Sequence, residues 1–145
     1  MDITSRSKKK DAKMEIIITD WALNSYLDLV AVQAFTQGEY WDTIRPDVER
    51  LKIYPNDLKF QNQKFWSPAV DSAKRPIPDG YKMKWHNLGN GQNQIRLPVG
   101  VLNAAYLCEA YVKENPKQEQ RRLARFKTHL QMVRQGQFTE RGRLP

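Results

Sequence analysis

Cysteine, histidine and long apolar runs are scarce in this chain of 145 residues, and each scarcity excludes a class of protein. The single cysteine, Cys108, cannot form an internal disulfide, which is typical of a reducing compartment, so we expect a cytoplasmic protein. Two histidines and one cysteine, widely separated, do not match a zinc motif, and we expect neither a metal nor another cofactor. No apolar run reaches the length of about 18 residues that a membrane span needs, and no apolar stretch follows the polar N-terminus as in a secretory signal.

Positive charge, by contrast, is in excess and unevenly distributed. The formal net charge is +8, and residues 113–145 contain nine Lys or Arg against three Glu. Residues 1–13 contain five Lys or Arg against two Asp, whereas residues 14–58 contain three basic and eight acidic side chains. A basic surface of this kind attracts polyanions such as nucleic acids. The alternative interpretation is charge that serves only solubility.

Hydrophobic patterning predicts a strand and an α-helical hairpin in the N-terminal half. The segment "MEIIIT" is short and β-branched, which indicates a strand over 14–19. Apolar residues at helical spacing predict a helix over 20–36. Helical spacing resumes over 39–55, where Pro46 predicts a break or a helix start near Arg45.

The C-terminal half predicts three consecutive strands and a long helix. After a polar connector over 56–79, which could hold a short strand near 64–70, strand patterns occur at 80–87, 93–98 and 103–113. A helical pattern then runs from Pro116 to Gln135. These elements predict an α+β fold, in which a small antiparallel sheet packs against the N-terminal α-hairpin and the C-terminal helix. The chain is predicted to consist of a basic disordered arm (1–13), one domain (14–135) and a basic tail (136–145).

One stretch of the predicted strands concentrates positively charged side chains. The segment "GYKMKWHNLGNGQNQIRL" places Lys82, Lys84 and His86 at alternate positions, and therefore on one face of a strand. Arg96 follows on the next strand, where its guanidinium could clamp a phosphate through two parallel hydrogen bonds. Histidine titrates near neutral pH, so His86 could act as a base or an acid in RNA cleavage. The alternative is an ordinary exposed strand, in which alternating lysines prevent aggregation.

The predicted last helix carries a second row of basic side chains. Lys117, Arg121 and Arg125 are spaced four apart and share one face, while Leu123 and Phe126 belong to the opposite, apolar face. We expect the basic face to contact RNA or another polyanion. We also expect Lys82, Lys84 and Arg96 to be exposed, so that replacing all three by alanine leaves the fold intact.

The order of elements and two motifs resemble the RelE/ParE/HigB superfamily of toxins from bacterial type II toxin–antitoxin modules. "GYKMKWHNLGNGQNQIRL" is similar to the RelE stretch in which a Tyr-Lys-x-Lys strand precedes a turn and a strand bearing arginine. "AYLCEAYVKENP" is similar to the apolar strand that ends in Val-Lys or Gly-Lys in that family. By element order the resemblance covers residues 14–135, and by motif a smaller part of the chain.

The resemblance implies a toxin that acts as an endoribonuclease, an mRNA interferase associated with the ribosome. Its partners would be RNA, the ribosome and an acidic antitoxin protein, without a membrane or a small-molecule cofactor. Lys82 and Lys84 match the paired lysines of the family, Arg96 the arginine of the next strand, and Lys113 the basic residue that ends the last strand.

The sequence also departs from the family pattern at the start of the last helix. Catalytic RelE-type proteins often carry a tyrosine or histidine there or on the tail, whereas this chain has Lys117-Gln118-Glu119-Gln120. Two alternatives therefore stay open. One is a ParE-like, non-catalytic inhibitor of DNA gyrase, and the other is a basic nucleic-acid-binding module. Under the preferred interpretation the residues assigned to cleavage are Lys84, His86 and Arg96, and those assigned to RNA binding are Lys82, Lys113, Lys117, Arg121 and Arg125.

The substitution His86→Ala tests whether the imidazole takes part in chemistry. If it is the general base or acid, the variant should keep its affinity for RNA or ribosomes and lose about 10²–10⁴-fold in cleavage rate. Single-turnover cleavage beside a binding assay measures both. A variant that cleaves as fast as the parent protein would remove His86 from the mechanism.

Overall fold

Seven strands and several helices make up the part of the chain that the structure describes. The computed structural model describes residues 13–145, so the arm predicted at 1–13 lies, apart from Lys13, outside the described residues. The strands are β1 (Ile16–Thr19), β2 (Trp66–Val70), β3 (Pro76–Asn87), β4 (Asn93–Val101), β5 (Ala105–Leu107), β6 (Tyr111–Val112) and β7 (Glu140–Leu144). The regular α-helices are α1 (Asp20–Ala31), α2 (Gln37–Glu39), α3 (Arg45–Glu49) and α4 (Pro116–Arg134), and a short helical turn with left-handed residues, Leu88–Gly91, joins β3 to β4. Within residues 13–145, no helix has both the length and the apolar character to cross a membrane.

The strands form one mixed sheet in the order β2-β3-β4-β5-β1-β7, and β6 also pairs with β4. β3 and β4 are antiparallel, with Gly80 opposite Gly100 and Lys84 opposite Arg96. β1 is parallel to β5 and antiparallel to β7. The α+β prediction is confirmed, but the sheet is larger than expected and is not purely antiparallel. β1 lies inside it because its isoleucines are buried on both faces, which suits an internal strand.

The segment predicted as a single strand over 103–113 is divided into β5 and β6. Leu107 pairs with Val99, and Tyr111 pairs with Arg96. Between these two pairs, the interrupted strand contains one residue more than β4 does. The cause is Pro98 of β4, which has no N–H to offer to a neighbouring strand. The resulting bulge frees a backbone N–H, that of Ala110, which donates to Ser25 Oγ at 2.9 Å.

The segment predicted as a basic tail, 136–145, contains the edge strand β7. Its backbone pairs with β1, with Ile16 opposite Leu144 and Ile17 opposite Arg143. Leu144 packs against the main core, whereas Arg143 is exposed. β7 is therefore held largely by backbone hydrogen bonds to β1, which a hydrophobic pattern does not reveal.

The helical hairpin is shorter and less regular than its sequence pattern predicts. α1 ends at Ala31 rather than near residue 36. Between α2 and α3 the chain forms a π-helical turn, Tyr40–Ile44, in which the Arg45 N–H donates to the Tyr40 carbonyl. The wider turn immediately precedes Pro46, whose nitrogen cannot donate to the preceding helical turn, so the break predicted near Arg45 is confirmed. Two 3₁₀ turns, Arg50–Ile53 and Leu58–Gln61, continue the chain toward β2.

The sheet is covered on both faces. Alternate residues of β4 from Ile95 to Val99 join the core beneath α1 and α3. The intervening face, which includes Arg96 and Gly100, lies under α4, where Phe126 and Leu130 pack in a second core with Cys108. Burial raises the pKa of the Cys108 thiol to about 12, so this cysteine is a packing residue, as its apolar surroundings in the sequence predict.

The contact between α4 and the sheet can be tested at Gly100. A Cβ atom there would lie 2.4 Å from Leu130 Cδ1, and Leu130 is fully buried. Gly100→Ala should therefore lower the free energy of unfolding by about 1–3 kcal/mol, measured by urea denaturation. Gly38→Ala is the matched control, since its Cβ would meet only Thr36 Oγ1 at 3.9 Å and alanine favours a helix. Equal effects of the two substitutions would contradict this packing.

Candidate nucleic-acid interface

Beneath the first turn of α4, the sheet presents a group of charged and polar side chains. Lys82 and Lys84 extend from β3, Arg96 from β4 and Tyr111 from β6, and the ladder places Lys84 opposite Arg96 and Arg96 opposite Tyr111. Glu119 reaches them from α4. We call these five residues the cationic cluster. The structure thus brings together the three strand residues that the sequence indicated and adds two more.

Glu119 is the acidic member of the cationic cluster. Its Oε2 accepts a hydrogen bond from the Tyr111 hydroxyl at 2.8 Å and lies 3.6 Å from Lys82 Nζ. The helix start fixes this position, because Asn115 caps the helix by accepting from the Gln118 N–H at 2.8 Å. A carboxylate in the first helical turn is also favoured by the helix dipole. Glu119 therefore holds Lys82 and Tyr111 in place through one oxygen atom.

Lys84 is the lysine of the cationic cluster whose pKa is lowered. It is half-buried, and burial is the main reason why its pKa is lowered. The positive charges of Lys82, Arg96 and Lys113 lower the pKa of Lys84 further, while Glu119 partly opposes them. A lysine with a lowered pKa is neutral more often near pH 7 and can then accept a proton.

Arg96 lies deeper than its position in the sequence suggests. The residue is only 5% exposed, and its Nη1 donates long hydrogen bonds to the carbonyls of Trp85 (3.4 Å) and Ile95 (3.3 Å). Burial lowers the pKa of Arg96, and the negative charge of Glu119 opposes that effect. The expectation that Arg96 is an exposed side chain, replaceable without effect on the fold, is wrong. β4 is an internal strand of the sheet, and α4 covers the face from which the Arg96 side chain extends. The guanidinium is therefore buried.

Tyr111 is a buried hydroxyl donor. Burial, followed by the charge of Glu119, raises the pKa of its phenol, so the hydroxyl stays protonated and donates to Glu119. The Arg122 guanidinium lies over the ring, with Cζ 5.8 Å from the ring centroid.

The sequence indicated no acid–base group at the start of the last helix, and Glu119 is the residue that it missed. A signal existed, since a capping asparagine followed by Pro116 places Glu119 in the first turn, next to the preceding strand.

His86 lies two residues beyond Lys84 along β3, a separation of roughly 7 Å. It is exposed, and both ring nitrogens already have partners. Nδ1 lies 2.9 Å from Gln94 Oε1, and Nε2 lies 2.7 Å from the Lys64 carbonyl oxygen. To accept or donate a proton in a reaction, the ring would first have to leave one of these contacts. The catalytic role of His86 stays a prediction.

The remaining predicted RNA-binding residues differ in their surroundings. Lys113, Lys117 and Arg121 are exposed, and Lys113 is close enough for its charge to lower the pKa of Lys84. Arg125 instead donates to both carboxylate oxygens of Glu109, at 2.9 and 3.0 Å. The basic surface therefore continues from the cationic cluster onto the first turns of α4, and the charge of Arg125 is neutralised by its neighbour.

The cationic cluster as a whole is suited to binding an anion and to transferring a proton. Several positive charges surround a single carboxylate, and the pKa of one lysine is lowered. Among residues 13–145, no group of three or more His, Cys, Asp or Glu side chains is placed to hold a metal ion. Comparison with protein-family models, with curated proteins and with solved structures finds no match to this chain.

Proposed function

We propose that this chain is a RelE-like toxin of a type II toxin–antitoxin module, which cuts messenger RNA at the cationic cluster. The observation that carries the proposal is the position of Lys84, half-buried among Lys82, Arg96 and Lys113 with a lowered pKa. This combination supplies both a proton acceptor and positive charge at one place, and phosphodiester cleavage needs both.

The reaction that these groups support is attack by the ribose 2′-hydroxyl on the adjacent phosphate. Neutral Lys84 takes the 2′-hydroxyl proton, and the 2′-oxygen forms a bond to phosphorus. The bond between phosphorus and the 5′-oxygen then breaks, and the 5′-oxygen takes a proton from the Lys82 ammonium, which Glu119 orients. The products are a 2′,3′-cyclic phosphate and a 5′-hydroxyl end, and both lysines recover their starting protonation from solvent.

The remaining members of the cationic cluster, together with the nearby Lys113, stabilise charge or hold other groups in position. The phosphorane oxygens become more negative in the transition state, and Arg96 and Lys113 provide the opposing positive charge. Tyr111 fixes Glu119 through a 2.8 Å hydrogen bond, and Glu119 keeps Lys82 directed at the leaving oxygen. Tyr111 and Glu119 are therefore positioning residues in this proposal.

Binding of RNA extends beyond the reacting phosphate. Lys117 and Arg121 continue the positive surface along α4, where ribosomal RNA or the messenger backbone could contact them. An acidic antitoxin would neutralise the toxin by covering the same surface. Since messenger RNA and ribosomes are its proposed targets, the proposed site of action is the cytoplasm.

One feature favours the second candidate, a non-catalytic protein that binds nucleic acid or, like ParE, inhibits DNA gyrase. Both ring nitrogens of His86 already have hydrogen-bond partners, so the imidazole is not available for catalysis as it stands. In such a protein the cationic cluster would serve binding alone.

Lys84→Arg separates the two candidates, because arginine keeps the positive charge and cannot act as a base near neutral pH. We expect binding to RNA or ribosomes to change little and the cleavage rate to fall about 10²–10⁴-fold. The rate of the parent protein should rise with pH through the lowered pKa of Lys84, since the base must be deprotonated, and this rise should be absent in the variant. The matched control is Lys127→Arg. Lys127 is an exposed lysine of α4 whose Nζ lies 3.7 Å from Asp71 Oδ2, and the variant should behave like the parent protein.

Two results would contradict the assignment. Cleavage by Lys84→Arg at the parental rate would exclude Lys84 as the base while leaving RNA cleavage itself intact. Absence of cleavage by the parent protein with ribosomes supplied, together with inhibition of gyrase, would replace the endoribonuclease by the ParE-like function.

A further inference from the structure

A cavity of about 230 Å³ lies on the other face of the sheet from the cationic cluster. It is lined by α1, the π-helical turn, α3 and the sheet, and it is partly open to solvent. Its walls are almost entirely apolar, and the side chains that form them include Leu29, Ile44, Val48, Ile95, Leu97 and Leu107. An apolar cavity of roughly 150 Å³ is large enough to bind benzene, so this one has room for a ring with a short chain.

Three polar side chains also line the cavity: Tyr26, Tyr40 and Arg45. The two tyrosine rings are 5.3 Å apart, and burial raises the pKa of Tyr26, which keeps its hydroxyl protonated as a donor. The Arg45 side chain is 27% exposed, and its Nε lies 3.7 Å from Glu49 Oε1, which makes an ion pair but leaves the guanidinium hydrogen-bond donors free of this carboxylate. Cζ of Arg45 also lies 5.5 Å from the ring centroid of Trp41, which supports the guanidinium from one side.

We propose that this cavity binds a small apolar carboxylate, a single ring or short aliphatic chain that ends in a carboxylate group. The apolar part of the ligand would fill the cavity, and the carboxylate would accept two parallel hydrogen bonds from the Arg45 guanidinium. The charge of Arg45 selects an anion over a cation, and the apolar walls select a hydrocarbon body over a nucleotide or a sugar. The two tyrosines supply further donors.

The probes 4-phenylbutyrate and 4-phenylbutanol test the inference, since they share a ring and a chain and differ in the charged group. Isothermal titration of the full chain should show saturable binding of the acid at one site. The alcohol should bind at least about 10-fold more weakly, because it lacks the charge-assisted hydrogen bonds. The acid should also raise the melting temperature of the protein in proportion to its occupancy.

Variants locate the binding within the cavity. Arg45→Gln should weaken the affinity for the acid about 10-fold and leave the affinity for the alcohol unchanged. Arg75 is an exposed arginine outside the cavity, so Arg75→Gln should alter neither affinity. Ala22→Phe fills the cavity and should abolish binding of both probes. If that variant does not fold, Leu29→Phe provides a second way to reduce the space. Arg45→Gln should leave RNA cleavage unchanged, because Arg45 lies on the other side of the sheet from the cationic cluster.

Three results would overturn the inference. One is failure of folded parent protein to bind either probe at millimolar concentration. Another is evidence that Arg45 does not bind the carboxylate, which would be either equal affinity for acid and alcohol or an affinity for the acid that Arg45→Gln does not change. The third is concentration-dependent self-association that Ala22→Phe abolishes, which would make the cavity part of an interface between copies of this chain.

Discussion

The close packing of α4 on two glycines of the sheet determines where the charged side chains meet. A Cβ atom at Gly80 would lie 2.8 Å from Phe126, and one at Gly100 would lie 2.4 Å from Leu130. Larger residues at these opposed positions of β3 and β4 would hold the helix away from the sheet. With glycine at both positions, α4 lies close enough to the sheet for its first turn to bring Glu119 next to Lys82.

The same packing explains the chemistry that we propose. A lysine pair on an open strand would be solvated and charged, whereas Lys84 is partly buried beside Lys82 and Arg96, and burial lowers its pKa. The face of the sheet that carries this cationic cluster is separate from the face that carries the apolar cavity. The fold therefore offers two sites whose properties can be tested one at a time.

Much of this architecture could be predicted from the sequence, and the failures have physical causes. The alternation of Lys82 and Lys84 identified β3, and helical periodicity identified α4 almost to its ends. Hydrophobic patterns did not reveal β7, because backbone pairing with β1 largely holds it. They also did not show that Pro98 divides the following strand.

The candidate site was predicted only in part, because the sequence does not give the depth of a residue. Lys82, Lys84 and Arg96 were correctly placed on neighbouring strands, but Arg96 is buried by a helix that begins twenty residues later in the chain. The helix-start pattern places Glu119 in the first turn of α4, but its contact with Lys82 joins residues far apart in sequence and is not given by that local pattern. The RelE-like character of the fold and of the function remains a proposal supported by this arrangement.

The central claim is that the protein cuts RNA, and the most direct test is to map RNA ends and DNA breaks in parallel in bacterial cells after its expression is induced. The account predicts new RNA fragments with 5′-hydroxyl and 2′,3′-cyclic phosphate ends inside coding sequences, with chromosomal DNA left intact. DNA breaks without new RNA ends would contradict it and would indicate an inhibitor of gyrase.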